Sequence, residues 1–389
     1  MFASLVGLIH QPSIAIRVPN DDSTFNPKEY PSLSFIATGK VQGKIRLIHG
    51  TEDDSNLAMI STRIWVTKEN DKDEVAIKLS FDNKTHVFTL EGPTRFGSFN
   101  IYHETTIQIP RSFQHLGSLR LKAPNTSFSA EGLDHLLWTS VQTELSNAAI
   151  ALQYLAAADS IALRTSNSSI SGVFSAGHID LTTSNGSISA KLRVEDAQDG
   201  RQSIVMTKTS NASIHLHVDA TTTRQGIWME NTTKNGKIVI GTLLGPSEKS
   251  SNISTTTSNS KIEFNLDASQ TGQALEVTNK TSNASILSSI MVPPSQFVKC
   301  LAQSADGSVT VNLTDDFKGW FDLETSNSST TVEGSHLMFE TEKKNTKRGY
   351  HDQGESQVKL LTSNSSAKLN FYSAGASLAA DVLAKHEYL

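Results

Sequence analysis

The hexapeptide TSNSSI begins at Thr165, and close variants follow it: TSNGSI at Thr183, TSNASI at Thr209, TSNSKI at Thr257 and TSNASI again at Thr281. Aligned on the third residue, the motif runs through Asn125, Asn147, Asn167, Asn185, Asn211, Asn235, Asn259, Asn283, Asp306, Asn327 and Asn364. Successive copies lie 22, 20, 18, 26, 24, 24, 24, 23, 21 and 37 residues apart. A period in the low twenties, held over so many copies, is the mark of stacked repeats rather than of one compact globule.

The parity of the apolar residues says what each repeat is. Leu181, Thr183 and Asn185 share one face of a strand, and after the turn the inward set jumps to Ile188, Ala190 and Leu192. The jump recurs from Thr255, Thr257 and Asn259 to Ile262, Phe264 and Leu266, and from Leu360, Thr362 and Asn364 to Ala367, Leu369 and Phe371. This predicts two strands joined by an arc that keeps both apolar faces inside, with the asparagines on the inward side. A helix is excluded, since no run shows a 3.6-residue period and β-branched residues alternate.

The expected fold class is therefore all-β: a β-solenoid with a period of about 18–26 residues. Asn and Gly suit a corner that needs positive φ, and Ser and Thr bond their own backbone there. Copies stacked about 4.8 Å apart would align their amides into a ladder. The eleven aligned positions are thus read as a structural corner column, with no catalytic, cofactor-binding or metal role.

The flanks differ. Residues 1–114 carry alternating strands such as SIAIRV, KIRLIHG and EVAIKLSF without the motif, and are expected to form an N-terminal antiparallel β domain. The solenoid is expected over 115–373, with a charged loop extruded at 337–356. AGASLAADVLAKHEYL reads as a short helical cap or tail at 374–389.

The passages TTIQIPRSFQHLGSLRLKAPN, FKGWFDLETSNSS and SQVKLLTSNSSAKLNF, together with the recurring corners, resemble the "putative-adhesin" β-solenoid family of unknown function, in particular its fungal-type members. The resemblance covers roughly residues 30 to 371. It implies an adhesin-like, non-enzymatic repeat protein, and it carries over no catalytic or binding residue.

The chemistry-bearing residues point the same way. A net charge of −5 lacks the basic footprint that nucleic acid needs. The single cysteine, Cys300, excludes an intrachain disulfide and reads as a small buried hydrophobe. His215 and His217 share an outward strand face, but two ligands do not make a closed metal site. Polysaccharide-cleaving enzymes need paired carboxylates, and the repeat columns hold Ser, Thr and Asn instead. No nucleophile elbow, zinc-protease motif, phosphate loop or dinucleotide fingerprint occurs. No cofactor is expected.

Twelve sequons occur, but TSN followed by Ser creates one automatically. With the column packed inward, only Asn83, Asn231, Asn252, Asn279 and Asn312 bear on glycosylation. The start MFASLVGLIHQPS lacks a basic n-region, and no apolar run is long enough to span a bilayer. The default compartment is therefore intracellular, whereas the family resemblance implies the cell surface. The role expected is an elongated surface for a glycan or protein partner. The alternatives are a polysaccharide-acting β-helix enzyme and an intracellular scaffold.

Overall fold

The structure is a computed structural model describing residues 16–18, 20, 22–50, 56–94, 101–293 and 296–373. The expected helical cap at 374–389 lies outside the described residues. The described chain is all-β, with 31 strands and one short 3-10 helix, Glu69–Glu74. It divides into two compact units, residues 1–189 and 190–389.

In the first unit the strands Ser32–Thr38 and Val41–His49 make one rung, turned by Gly39 at φ +81°. Both strands alternate apolar and polar residues, and Leu33, Phe35, Ala37, Ile45 and Leu47 are buried. On one side this rung pairs in parallel with Thr85–Glu91 and Ile101–Ile109. On the other it pairs in parallel with His115–Pro124 and Thr126–Glu131. Strand pairing therefore runs straight across residue 114. Leu137–Ser146 and Ile150–Arg164 continue the stack.

The antiparallel expectation for the N-terminal region is only partly met. Ile16–Val18 and Ser23–Phe25 lie antiparallel to Ala58–Val66, which is itself antiparallel to Ile101–Ile109. Ala76–Asp82 is antiparallel to Thr85–Glu91. The remaining pairings are parallel, because the Gly39 corner does the work of the later corners and lets neighbouring rungs stack in the same direction. A tight hairpin reverses the chain at Asn83 and Lys84, both at positive φ, as a two-residue turn requires.

The second unit holds the most regular rungs. Ser203–Lys208, Ile227–Thr232, Ser251–Thr256, Leu275–Lys280 and Val298–Gln303 pair in parallel, each with the next. A second column stacks Ile214–Ala220, Ile238–Leu244, Ile262–Asp267, Ile286–Met291 and Val309–Thr314 in the same way. Equivalent residues fall in line: Val205, Met229, Ile253, Val277 and Cys300 on one side, Ile214, Ile238, Ile262, Ile286 and Val309 on the other. All ten are buried. Each aliphatic side chain withdrawn from water contributes about 1.5–3 kcal/mol, which is what holds rung on rung.

Towards the C-terminus the order of rungs departs from the order of the chain. Ser356–Thr362 pairs with Val298–Gln303 on one side and Gly319–Thr325 on the other. Ala367–Tyr372 lies likewise between Val309–Thr314 and Thr330–Glu333. The chain leaves one rung vacant, builds the next, and returns to fill the gap.

The stretch expected as an extruded loop does not hang free. Leu337–Glu342 and Thr346–His351 form an antiparallel hairpin, and its second strand pairs antiparallel with Gly319–Thr325. Its basic run turns at Lys344 and Asn345, where Lys343 and Thr346 exchange backbone hydrogen bonds. Lys347 pairs with Glu342 at 2.7 Å and Arg348 with Asp322 at 2.9 Å.

Candidate interaction surface

Each broad corner is a five-residue arc between two strands, such as Thr233 to Lys237 between Ile227–Thr232 and Ile238–Leu244. Its first residue points inward. Thr165, Thr183, Thr209, Thr233, Thr257, Thr281, Ser304, Thr325 and Thr362 are all buried. Their hydroxyls tie one rung to another: Thr233 Oγ1 donates to the Ala212 carbonyl at 3.1 Å and accepts from the Gly236 N–H at 3.2 Å. Ser304 repeats the arrangement with Ala284 at 2.9 Å and Gly307 at 2.9 Å.

The asparagines, placed inward by their parity, are on the outside. Asn167, Asn185, Asn211, Asn235, Asn259, Asn283, Asn327 and Asn364 are exposed, as is Asp306. Alternation holds only for extended chain, and the arc begins at the inward Thr itself, so the side chain two positions on leaves the core. In the first unit Asn147 Nδ2 donates to Asn125 Oδ1 at 2.8 Å, Asn167 donates to Asn147, and Asn185 donates to Asn167 at 2.6 Å.

The second unit repeats this. Asn235 donates to Asn211 at 2.7 Å, Asn259 to Asn235 at 2.7 Å and Asn283 to Asn259 at 2.6 Å. In the reordered rungs, Asn364 donates to Asp306 at 2.6 Å and Asn327 to Asn364 at 2.7 Å. Asp306 can accept from Asn364, but a carboxylate has no N–H to pass on to Asn283.

Positive φ explains little of this. Within the column only Asn125 and Asn147 adopt it, at +47° and +58°. Glycine follows Asn235 for a different reason: a Cβ on Gly236 would lie 1.7 Å from the Ala212 carbonyl oxygen of the neighbouring rung.

Beside the column in the second unit runs an open groove of about 630 Å³. Ser258, Ser282, Ser326 and Ser363 line it along the corners, with Lys280 and Lys359 on its wall. It offers a row of serine hydroxyls, with Lys280, Lys359 and Glu324 supplying charges of both signs.

The off-column sequons also change places. Asn231 and Asn279 are fully buried: Thr207 donates to Asn231 Oδ1 at 2.7 Å, and Asn279 Nδ2 donates to Ser288 at 3.1 Å. Their parity with Ile227 and Met229, and with Leu275 and Val277, already put them inside. Asn83 is exposed at its turn, and Asn252 and Asn312 are half-buried.

Among the described residues no three of His, Cys, Asp and Glu come together as metal ligands. His215 and His217 lie half-buried on the strand Ile214–Ala220. Burial pushes the Cys300 thiol up to about 12, so it is an unreactive core residue. Among the described residues no helix is long and apolar enough to cross a membrane.

No family model matches the chain, and no curated protein matches it in sequence. Solved structures similar to it include a "putative cell adhesion protein" from Clostridium sporogenes ATCC 15579, 8% identical over 92% of this chain and 99% of that one, with a TM-score of 0.18. A "putative adhesin" from Parabacteroides merdae ATCC 43184 is 12% identical over 75% and 95%, at a TM-score of 0.28. Another, from Parabacteroides distasonis ATCC 8503, is 11% identical over 90% and 96%, at 0.30. All three are bacterial. Likenesses this remote carry no weight for the function of this chain.

Proposed function

We propose that this chain is a non-enzymatic, adhesin-like β-solenoid protein whose rows of exposed polar side chains are an interaction surface for a glycan or protein partner. The eleven corner positions act as a structural asparagine ladder that fixes the spacing of that surface. The observation that carries this reading is the exposed, hydrogen-bonded asparagine rows with the serine-lined groove beside them. Such a surface presents donors and acceptors at a repeat of about 4.8 Å, which suits an extended ligand with its own regular repeat. The fungal-type affinity rests on the segments FKGWFDLETSNSS and SQVKLLTSNSSAKLNF.

Fractionation of cells of the native source, with the protein's mobility compared before and after enzymatic deglycosylation, tests the reading. A cell-surface protein is the expected result, with a glycan at Asn83 that an N83Q variant removes. A protein confined to the cytosol with unchanged mobility would overturn it in favour of an intracellular scaffold.

A further inference from the structure

In the first unit, four strands lie side by side and present a polar face. Their registers place Arg63 opposite Glu104, Glu104 opposite Lys44 and Lys44 opposite Ser127. The next row places Ser61 opposite Thr106, Thr106 opposite Arg46 and Arg46 opposite Ser129. The two rows line a groove of about 390 Å³, within the range of small-ligand sites. Three inter-strand steps make it about 14 Å across.

The charges in this groove are not spent on one another. Arg46 is held by Glu131 at 2.8 Å. Lys44 and Arg63 are exposed, and among the described residues neither makes an ion pair or side-chain hydrogen bond. Glu104, which also lines the groove, accepts from the Tyr102 hydroxyl at 3.0 Å through one carboxylate oxygen. One row further along, the half-buried Trp65 packs against Tyr102 with ring centroids 5.6 Å apart.

We propose that this face binds an acidic oligosaccharide carrying one carboxylate per sugar, a uronate glycan. The inference deepens the interaction-surface reading and rests on it. Lys44 and the planar fork of Arg63 take ligand carboxylates. Glu104 accepts from sugar hydroxyls, and its charge disfavours a densely sulfated or phosphorylated chain. Ser61, Thr106, Ser127 and Ser129 meet hydroxyls on either side of the sugar plane. The exposed part of Trp65 offers a sugar's apolar face a surface next to the charged rows.

Titration calorimetry of the full chain tests this, with oligogalacturonate and oligoguluronate hexamers as probes and cellohexaose and inorganic phosphate as comparators. The expected result is binding of a uronate hexamer that weakens with added salt. It should fall at least about tenfold in the K44A/R63A double variant, since two charge-assisted hydrogen bonds are lost. Melting of that variant should be unchanged, because both side chains are exposed.

Failure of both uronates to bind overturns the inference, as does equal binding by the double variant or displacement by equimolar phosphate. Cellohexaose binding without uronate binding would sink this inference and leave the interaction-surface reading standing. No glycan binding at all, in a protein found only in the cytosol, would sink both.

Discussion

At the scale of single residues, the most visible feature of the repeat and the most stabilising one are different positions. Asn235 is exposed, and its side-chain bonds compete with water, so Asn235→Ala should cost only about 0.5–1 kcal/mol. Thr233 is buried and satisfies both a carbonyl and an N–H. Thr233→Val keeps the shape but strands both groups, at about 1–3 kcal/mol. Urea unfolding of the two variants should rank them in that order, and the reverse ranking would assign the stability to the outer row. Gly236→Ala should be destabilising by a comparable 1–3 kcal/mol or so, because the neighbouring carbonyl is backbone and cannot rotate away.

One buried base gives a pH dependence with a definite sign. His103 is enclosed between Thr105 and Thr126 and stacked on Phe35, and desolvation lowers its pKa from 6.5 to about 3. Above 6.5 both folded and unfolded chains carry it neutral, so it adds no slope. Between 6.5 and about 3 only the unfolded chain binds the proton, so stability falls with pH by up to about 1.4 kcal/mol per unit. His103→Asn should flatten that part of a stability–pH curve. An unaltered acid limb would show that carboxylates alone set it.

At the scale of elements, the strands and the positions of the corners were legible because period-two alternation is a local signal. The outward turn of the asparagines was not, since an arc of five residues breaks the parity that the strands on either side obey. Asn231 and Asn279 show the converse case. Their strand parity put them inside, but the sequon pattern drew attention outward. The hairpin Leu337–Glu342/Thr346–His351 was hidden by its charge, which Glu342 within it and Asp322 and Glu324 on the adjoining strand neutralise.

That hairpin also has an element-scale consequence. It covers the free edge of Gly319–Thr325, and an uncovered edge is a template for pairing with another chain. Replacing residues 337–351 with a short Gly-Ser link should therefore yield dimers or larger species by light scattering. A monodisperse monomer would show that the edge needs no cover.

At the scale of the whole molecule, no local pattern could have revealed the order of the rungs, because which strand lies beside which is a long-range choice. Ending the chain after Glu355 would leave the inner slot empty, with Val298–Gln303 and Gly319–Thr325 each lacking a partner. Hydrogen exchange should then show lost protection over 319–333 and retained protection over 203–280. Uniform protection in the shortened chain would mean that the two separated rungs close on each other.

The slot also sets a timetable for biosynthesis. A stack whose rungs follow the chain can be laid down as it emerges from the ribosome, each new strand docking on the one before. Here the segment 319–333 emerges with nothing beside it, and its place is settled only when 356–372 arrives. A ribosome that stalls anywhere between these segments releases a product in which four strands, Val298–Gln303, Val309–Thr314, Gly319–Thr325 and Thr330–Glu333, lack the partner they pair with in the finished protein, an unfinished chain that proteases and chaperones can tell from the finished one.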